Sequence, residues 1–156
     1  MTEPHLSGGA PAANLHEPAV VVTGSAAGLA QEIHAGSHRL TADELVAVGG
    51  TDTGPSPYEL LLAALGSCTS MTVTMYARRK GWPLERVKVS LRHFKIHASD
   101  CAECETREGM LDRIERDIQF TGSLTTEQRS RLLEIANKCP VHRTLTSEIN
   151  IRTRAV

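Results

Sequence analysis

The sequence predicts an α+β fold, and three observations carry that prediction. Ser56-Pro57-Tyr58-Glu59 opens a long apolar run with the chemistry of a helix start. Residues 86–97 alternate apolar and polar side chains, the two-residue period of a half-buried strand. Short β-rich runs lie upstream of both, separated by glycine turns.

Residues 1–17, rich in Gly, Pro, Ala and Asn with almost no large apolar side chain, read as a flexible N-terminal tail. The domain then covers 18–156. Ala19-Val20-Val21-Val22-Thr23 starts the ordered part as a strand, a second short strand follows near Leu29–His34, and a third spans Ser37–Thr41. Gly49-Gly50-Thr51-Asp52-Thr53-Gly54-Pro55 is loop chemistry.

Ser56 then stands as an N-cap, Pro57 as the first helical residue and Glu59 as the reciprocal partner of a capping box. The helix runs from Pro57 to about Arg79 and stops at Gly81-Trp82-Pro83. At about 1.5 Å per residue it is more than about 30 Å long, and Leu60 to Leu65 is apolar nearly all round. One small sheet cannot cover such a helix, which predicts a partner subunit.

Val87, Val89, Leu91 and His93 form one face of the strand over 86–97. After a polar insert at 98–109, Ile114, Ile118 and Phe120 share a face of a strand over 111–121, with Arg116 on that same face. Thr125-Thr126-Glu127-Gln128 is a second capping box. Leu132, Ile135, Ala136 and Cys139 lie on the buried face of the helix it opens, which Pro140 ends. A turn or short helix through Val141–Ser147 leads to a closing strand at Ile149, Ile151 and Thr153.

Composition bounds the function. A net charge of −1 argues against a chain built to coat nucleic acid or anionic lipid. Aromatics at 3% are too few for a base-stacking platform. No uninterrupted apolar run approaches the roughly 18 residues of a membrane span, and the N-terminus lacks a signal-peptide pattern. Four cysteines in that setting predict reduced thiols in a cytoplasm. The chain contains no His-Glu-x-x-His or Gly-x-Ser-x-Gly, and its glycine loop leads to Pro55 instead of Gly-Lys-Ser/Thr, so zinc hydrolysis, serine hydrolysis and phosphate cradling are all poorly supported.

The chemistry that remains is sulfur. Cys68 lies mid-helix among the small residues Gly66, Ser67, Thr69 and Ser70, and reads either as a core thiol or as a nucleophile. Mid-helix it gains nothing from the dipole, so a reactive Cys68 requires a side-chain cation. Cys139 carries the same two readings, and together the two thiols form a candidate peroxidatic and resolving pair. Cys101 and Cys104, a Cys-x-x-Cys with His97 upstream, read as loop thiols, a redox pair or part of a zinc site.

Gly54-Pro55-Ser56-Pro57-Tyr58-Glu59-Leu60-Leu61-Leu62-Ala63-Ala64-Leu65-Gly66-Ser67-Cys68-Thr69, followed by Ala136-Asn137-Lys138-Cys139-Pro140-Val141-His142-Arg143-Thr144-Leu145, resembles the OsmC/Ohr family of osmotically inducible and organic hydroperoxide resistance proteins. The resemblance covers roughly residues 19–154. It implies an OsmC-like α+β fold, antiparallel sheets around long central helices, in an intertwined homodimer with active sites at the subunit interface. It further implies a thiol-dependent peroxidase that reduces small organic hydroperoxides. In that scheme Cys68 becomes a sulfenic acid, Cys139 resolves it to a disulfide, and a thiol or dihydrolipoyl reductant restores both; no cofactor is required. The family's arginine falls on Arg39, which would lower the thiolate's pKa, and its glutamate on Glu59.

Two departures mark a divergent branch. Tyr58 occupies the position where the family's pattern has glutamate, with Glu59 next, and Glu59 already has a structural task as capping partner. Nine residues separate Glu59 from Cys68, which places them on opposite helix faces about 13 Å apart along the axis. The Cys101/Cys104 insert is absent from the simplest members. A second reading therefore keeps the OsmC-like scaffold and moves function to a redox or metal role at His97, Cys101 and Cys104. A third takes the chain as a binding or assembly dimer whose cysteines only pack.

Overall fold

In a computed structural model of the chain, residues 19–156 are described. The tail expected over 1–17 lies outside the described residues. The structure groups into two compact units, one reaching to Ser56 and the other spanning Pro57–Val156.

The first unit is an antiparallel meander of β1 (Val20–Gly24), β2 (Gln31–Ala35) and β3 (His38–Ala42). Ile33 sits opposite Val22 on one side and Leu40 on the other, and it is buried. The glycine-rich loop after β3 is organised by Asp43, which is 2% exposed. Its carboxylate accepts from the Thr51 hydroxyl at 2.6 Å, the Thr53 hydroxyl at 3.0 Å, and the backbone N–H groups of Glu44, Thr51 and Thr53. These bonds, led by that from the Thr51 hydroxyl, outweigh burial and hold the carboxyl far below its ordinary range. Gly50 is required because a Cβ there would meet the Glu44 carbonyl oxygen at 1.9 Å. The loop is thus folded around a carboxylate of its own.

The second unit contains α1 (Pro57–Lys80), β4 (Arg86–His97), β5 (Met110–Thr121), α2 (Thr126–Ala136) and α3 (Pro140–Leu145). α1 ends in a Schellman motif: Gly81 adopts φ +64°, Gly81 N–H donates to Arg78 O at 3.1 Å, and Trp82 N–H donates to Ala77 O at 3.0 Å. Arg78, Arg79 and Lys80 complement the negative end of its dipole. β4 and β5 pair antiparallel from Arg86↔Thr121 to His97↔Met110. The alternation read from sequence places Val87 and Leu91 of β4 on one face with Ile118 and Phe120 of β5. α1 packs over that face, approaching closely at Gly66, where a Cβ would lie 2.9 Å from the Leu91 side chain.

Val73 and Ala77 of α1 join Leu132 and Ala136 of α2 in the core, with Tyr76, Trp82, Ile118 and Phe120 around them. By length and composition α1 would also qualify as a membrane span, with a mean hydropathy of 1.4. Its buried residues Leu65, Thr69, Val73 and Ala77 make it a core helix of this unit. α2 opens with both bonds of its capping box, between Thr125 and Gln128.

Two expectations need correction. The closing strand at Ile149, Ile151 and Thr153 is not formed: residues 148–156 join no ladder among the described residues, and Ile151 is 83% exposed. An apolar alternation becomes a strand only where another edge offers its N–H and C=O groups. Cys139 is not the last residue of α2. That helix ends at Ala136, and Cys139 (φ −63°, ψ 140°) is extended as the N-cap of α3. The cause is Pro140, whose ring drives the preceding residue out of helical conformation and starts the next helix.

Candidate active site

The Pro57–Val156 unit brings α1, β5 and the α2–α3 junction together at one buried point. Cys68 and Cys139, 71 positions apart in sequence, are both free thiols, and Cys68 is one of the groups that act on the Cys139 sulfur. Cys139 is fully buried and Cys68 half-buried. The sulfur of Cys139 caps α3 by accepting the His142 backbone N–H at 3.3 Å. Thr69, the residue after Cys68 and itself fully buried, places its Oγ1 at 3.6 Å from that sulfur.

Arg116 fixes this arrangement. Its Nη1 donates to Thr69 Oγ1 at 2.7 Å and to the Ala136 carbonyl at 3.4 Å, and its Nη2 donates to Asn137 Oδ1 at 2.7 Å. One guanidinium therefore ties β5 to α1 and to the end of α2. Burial pushes the Cys139 thiol up. Hydrogen bonds from the His142 backbone, Thr69 and Cys68, together with the Arg116 charge, more than offset this and bring it below its ordinary value. Burial, and then the charge of Arg116, lower the His142 imidazole as well.

Beside the pair lies a cleft of about 330 Å³ with apolar walls from Leu65, Ile114 and Leu145, and with Arg116, His142 and Asp112 as polar groups. Asp112 accepts from His93 at 2.9 Å and from Lys95 at 3.0 Å, and these bonds hold its carboxyl below the usual range. The His93 ring stacks on Tyr58, with centroids 4.2 Å apart and planes 9° apart. Tyr58 therefore has a packing task at the start of α1.

Arg39, the cation expected from the resemblance, belongs to the first unit, where its exposed side chain lies 3.8 Å from the Glu32 carboxylate. The cation that the second unit itself supplies to the cysteines is Arg116. Glu59 is exposed in the first turn of α1.

Cys101 and Cys104 are joined in a disulfide, with Cα atoms 5.4 Å apart. This departs from the general expectation of reduced thiols and agrees with the redox-pair reading of the Cys-x-x-Cys motif. A disulfide offers no thiolate, and among the described residues no three His, Cys, Asp or Glu side chains gather as a metal site, so the set His97, Cys101 and Cys104 is not assembled as zinc ligands here.

Sequence reading placed Arg116 on the apolar face of β5 but gave it no chemical role. The signal was present: a guanidinium between Ile114 and Ile118 on a covered face must find acceptors. Thr69, Asn137 and His142 sit inside the two motifs but carry no pattern of their own.

Comparison with known proteins agrees with this architecture. A family model described as OsmC-like protein matches residues 50–154. No curated protein matches the chain. Among solved structures, a Psychrobacter arcticus protein named for osmotic stress induction and detoxification response superposes with a TM-score of 0.65 at 18% identity, covering 82% of this chain and 88% of that one. An organic hydroperoxide resistance protein OsmC from Legionella pneumophila gives a TM-score of 0.60 at 19% identity, over 85% and 90% of the two chains. An organic hydroperoxide resistance protein from Elizabethkingia anophelis gives 0.59 at 16%, over 85% and 89%.

Proposed function

The chain belongs to the OsmC-like proteins, and from that premise we propose that it is a thiol-dependent peroxidase that reduces organic hydroperoxides to alcohols. The observation that carries the reading is a half-buried Cys68 whose neighbour Thr69 lies 3.6 Å from the sulfur of a buried Cys139, beside Arg116 and an apolar-walled cleft.

The half-buried sulfur is the accessible one, so Cys68 attacks. Its thiolate takes the distal oxygen of ROOH, the O–O bond breaks, and the alkoxide leaves as ROH after taking a proton, which makes Cys68 a sulfenic acid. Cys139 then attacks the Cys68 sulfur, the S–O bond breaks, and hydroxide leaves as water with the proton of Cys139. A dithiol, of small-thiol or dihydrolipoyl type, reduces the resulting disulfide and is itself oxidised to a disulfide. The family resemblance assigns Arg39 the lowering of the thiolate's pKa and the orienting of the peroxide, and assigns Glu59 the completion of that site. We place the reaction in the cytoplasm and in a homodimer; Met71 and Met75, 65% and 71% exposed on α1, support a second copy covering that face.

Loss of hydroperoxide turnover in Cys68→Ser tests the reading, and turnover unchanged in that variant contradicts it. The Cys101–Cys104 disulfide supports a second reading, a redox protein acting through the insert without peroxidase activity. In that case Cys68→Ser is silent and Cys101→Ser abolishes thiol exchange.

A further inference from the structure

Full burial alone would keep Cys139 protonated and unreactive. The groups around it therefore decide whether it can act. The ionisable ones facing it are Cys68 on α1, Arg116 on β5 and His142 on α3, while α2 contributes the Ala136 carbonyl that Arg116 also binds. Between Arg116 and the sulfur stands the Thr69 hydroxyl, which has one hydrogen and three neighbours. It donates to Leu65 O at 2.7 Å, accepts from Arg116 Nη1 at 2.7 Å, and lies 3.6 Å from Cys139 Sγ.

Resting on the peroxidase reading, we propose that Thr69 and Arg116 are a positioning pair for the resolving thiol, with the Thr69 hydroxyl relaying the Arg116 charge to the Cys139 sulfur. With Thr69 donating to Leu65, only its oxygen faces Cys139, so the protonated sulfur directs S–H to that oxygen. When the proton leaves, the hydroxyl turns from the Leu65 carbonyl to the thiolate, a rotation about one bond. The Arg116 hydrogen bond polarises the hydroxyl in both states and strengthens it as a donor in the second. The His142 N–H bond to the sulfur persists throughout.

The step this serves is resolution. The Cys139 S–H bond breaks, an S–S bond forms to Cys68, the sulfenic S–O bond breaks, and water leaves carrying the proton. Thr69 is adjacent in sequence to the sulfur under attack, so the same side chain orients the incoming sulfur toward its neighbour. Arg116 acts through Thr69 and is a positioning residue.

The test uses the Cys68→Ser chain, in which Cys139 is the single free thiol, and reads its ionisation by thiolate absorbance against pH. Adding Thr69→Val, which keeps the shape and removes the hydroxyl, raises the midpoint by about one pH unit. Thr69→Ser restores it, and Arg116→Met raises it independently, so the proposal stays decidable if the valine variant does not fold. Equal midpoints in all four chains overturn the proposal. In the otherwise intact chain, one equivalent of cumene hydroperoxide leaves a trappable Cys68 sulfenic acid in Thr69→Val where the parent passes to the disulfide; disulfide formation at the parent's rate also overturns it. If the parent loses no thiol to peroxide, the peroxidase reading fails, and the titration still decides the Thr69–Arg116 pair.

Discussion

Arg116 Nη2 donates to Asn137 Oδ1 at 2.7 Å, which ties the centre of β5 to the C-cap of α2. Two positions later the chain turns at Cys139 and Pro140, so this bond sets where the resolving thiol stands. Asn137→Ala removes a charge-assisted hydrogen bond near the surface and is expected to cost about 1 kcal/mol. It is also expected to slow Cys68–Cys139 disulfide formation by more than that stability loss explains. Urea unfolding beside stopped-flow thiol loss checks both, and an unaltered disulfide rate contradicts the positioning role.

The core prediction concerns Leu132, fully buried on α2 in one cluster with Val73 and Ala77 of α1. Leu132→Ala leaves a cavity in a packed region and is expected to destabilise the fold by about 2–5 kcal/mol. Denaturant unfolding measures it, and a loss below about 1 kcal/mol contradicts the packing described.

Asp43 gives a pH prediction. Its carboxyl is held below its unfolded value of 3.8, chiefly by the Thr51 hydroxyl. A group depressed in the folded state contributes stability that is present above the unfolded value and lost as pH falls toward the folded one. The parent should therefore be more stable than Asp43→Asn at pH 7, with the difference closing steadily below about pH 4. Thermal melts of both chains across that range check the sign. A difference that stays constant to acid pH contradicts it.

The insert supplies a separating experiment. The Cys101–Cys104 disulfide closes a very short loop, so Cys101→Ser with Cys104→Ser is expected to cost at most about 2 kcal/mol. Hydroperoxide turnover should survive in that double variant if chemistry belongs to the other two cysteines. Abolished turnover moves the function to the insert.

The elements with local signals were legible in the sequence. The capping pattern before α2 and the Gly81-Trp82-Pro83 stop after α1 fixed helix ends without tertiary information, and alternation located β4 and β5 within a residue. What failed depended on partners. The run at Ile149–Thr153 has strand-like alternation but no ladder to join among the described residues. Cys139 shares the apolar spacing of α2, yet Pro140 controls its backbone, a constraint that periodicity does not express. The two thiols were visible as motifs. The Arg116–Thr69–Cys139 linkage was not, because it joins three elements far apart in sequence. The Cys-x-x-Cys spacing left a redox pair among its readings, but the general inference from compartment to reduced thiols says nothing about a pair already held close by its own turn.

The most direct test of the central claim is a single-turnover thiol count before and after one equivalent of cumene hydroperoxide, with peptide mapping of the product. The account predicts rapid loss of two thiols and a new disulfide between Cys68 and Cys139, with the Cys101–Cys104 bond unchanged. No loss of thiol, or Cys68 and Cys139 both recovered free after exposure, would contradict it.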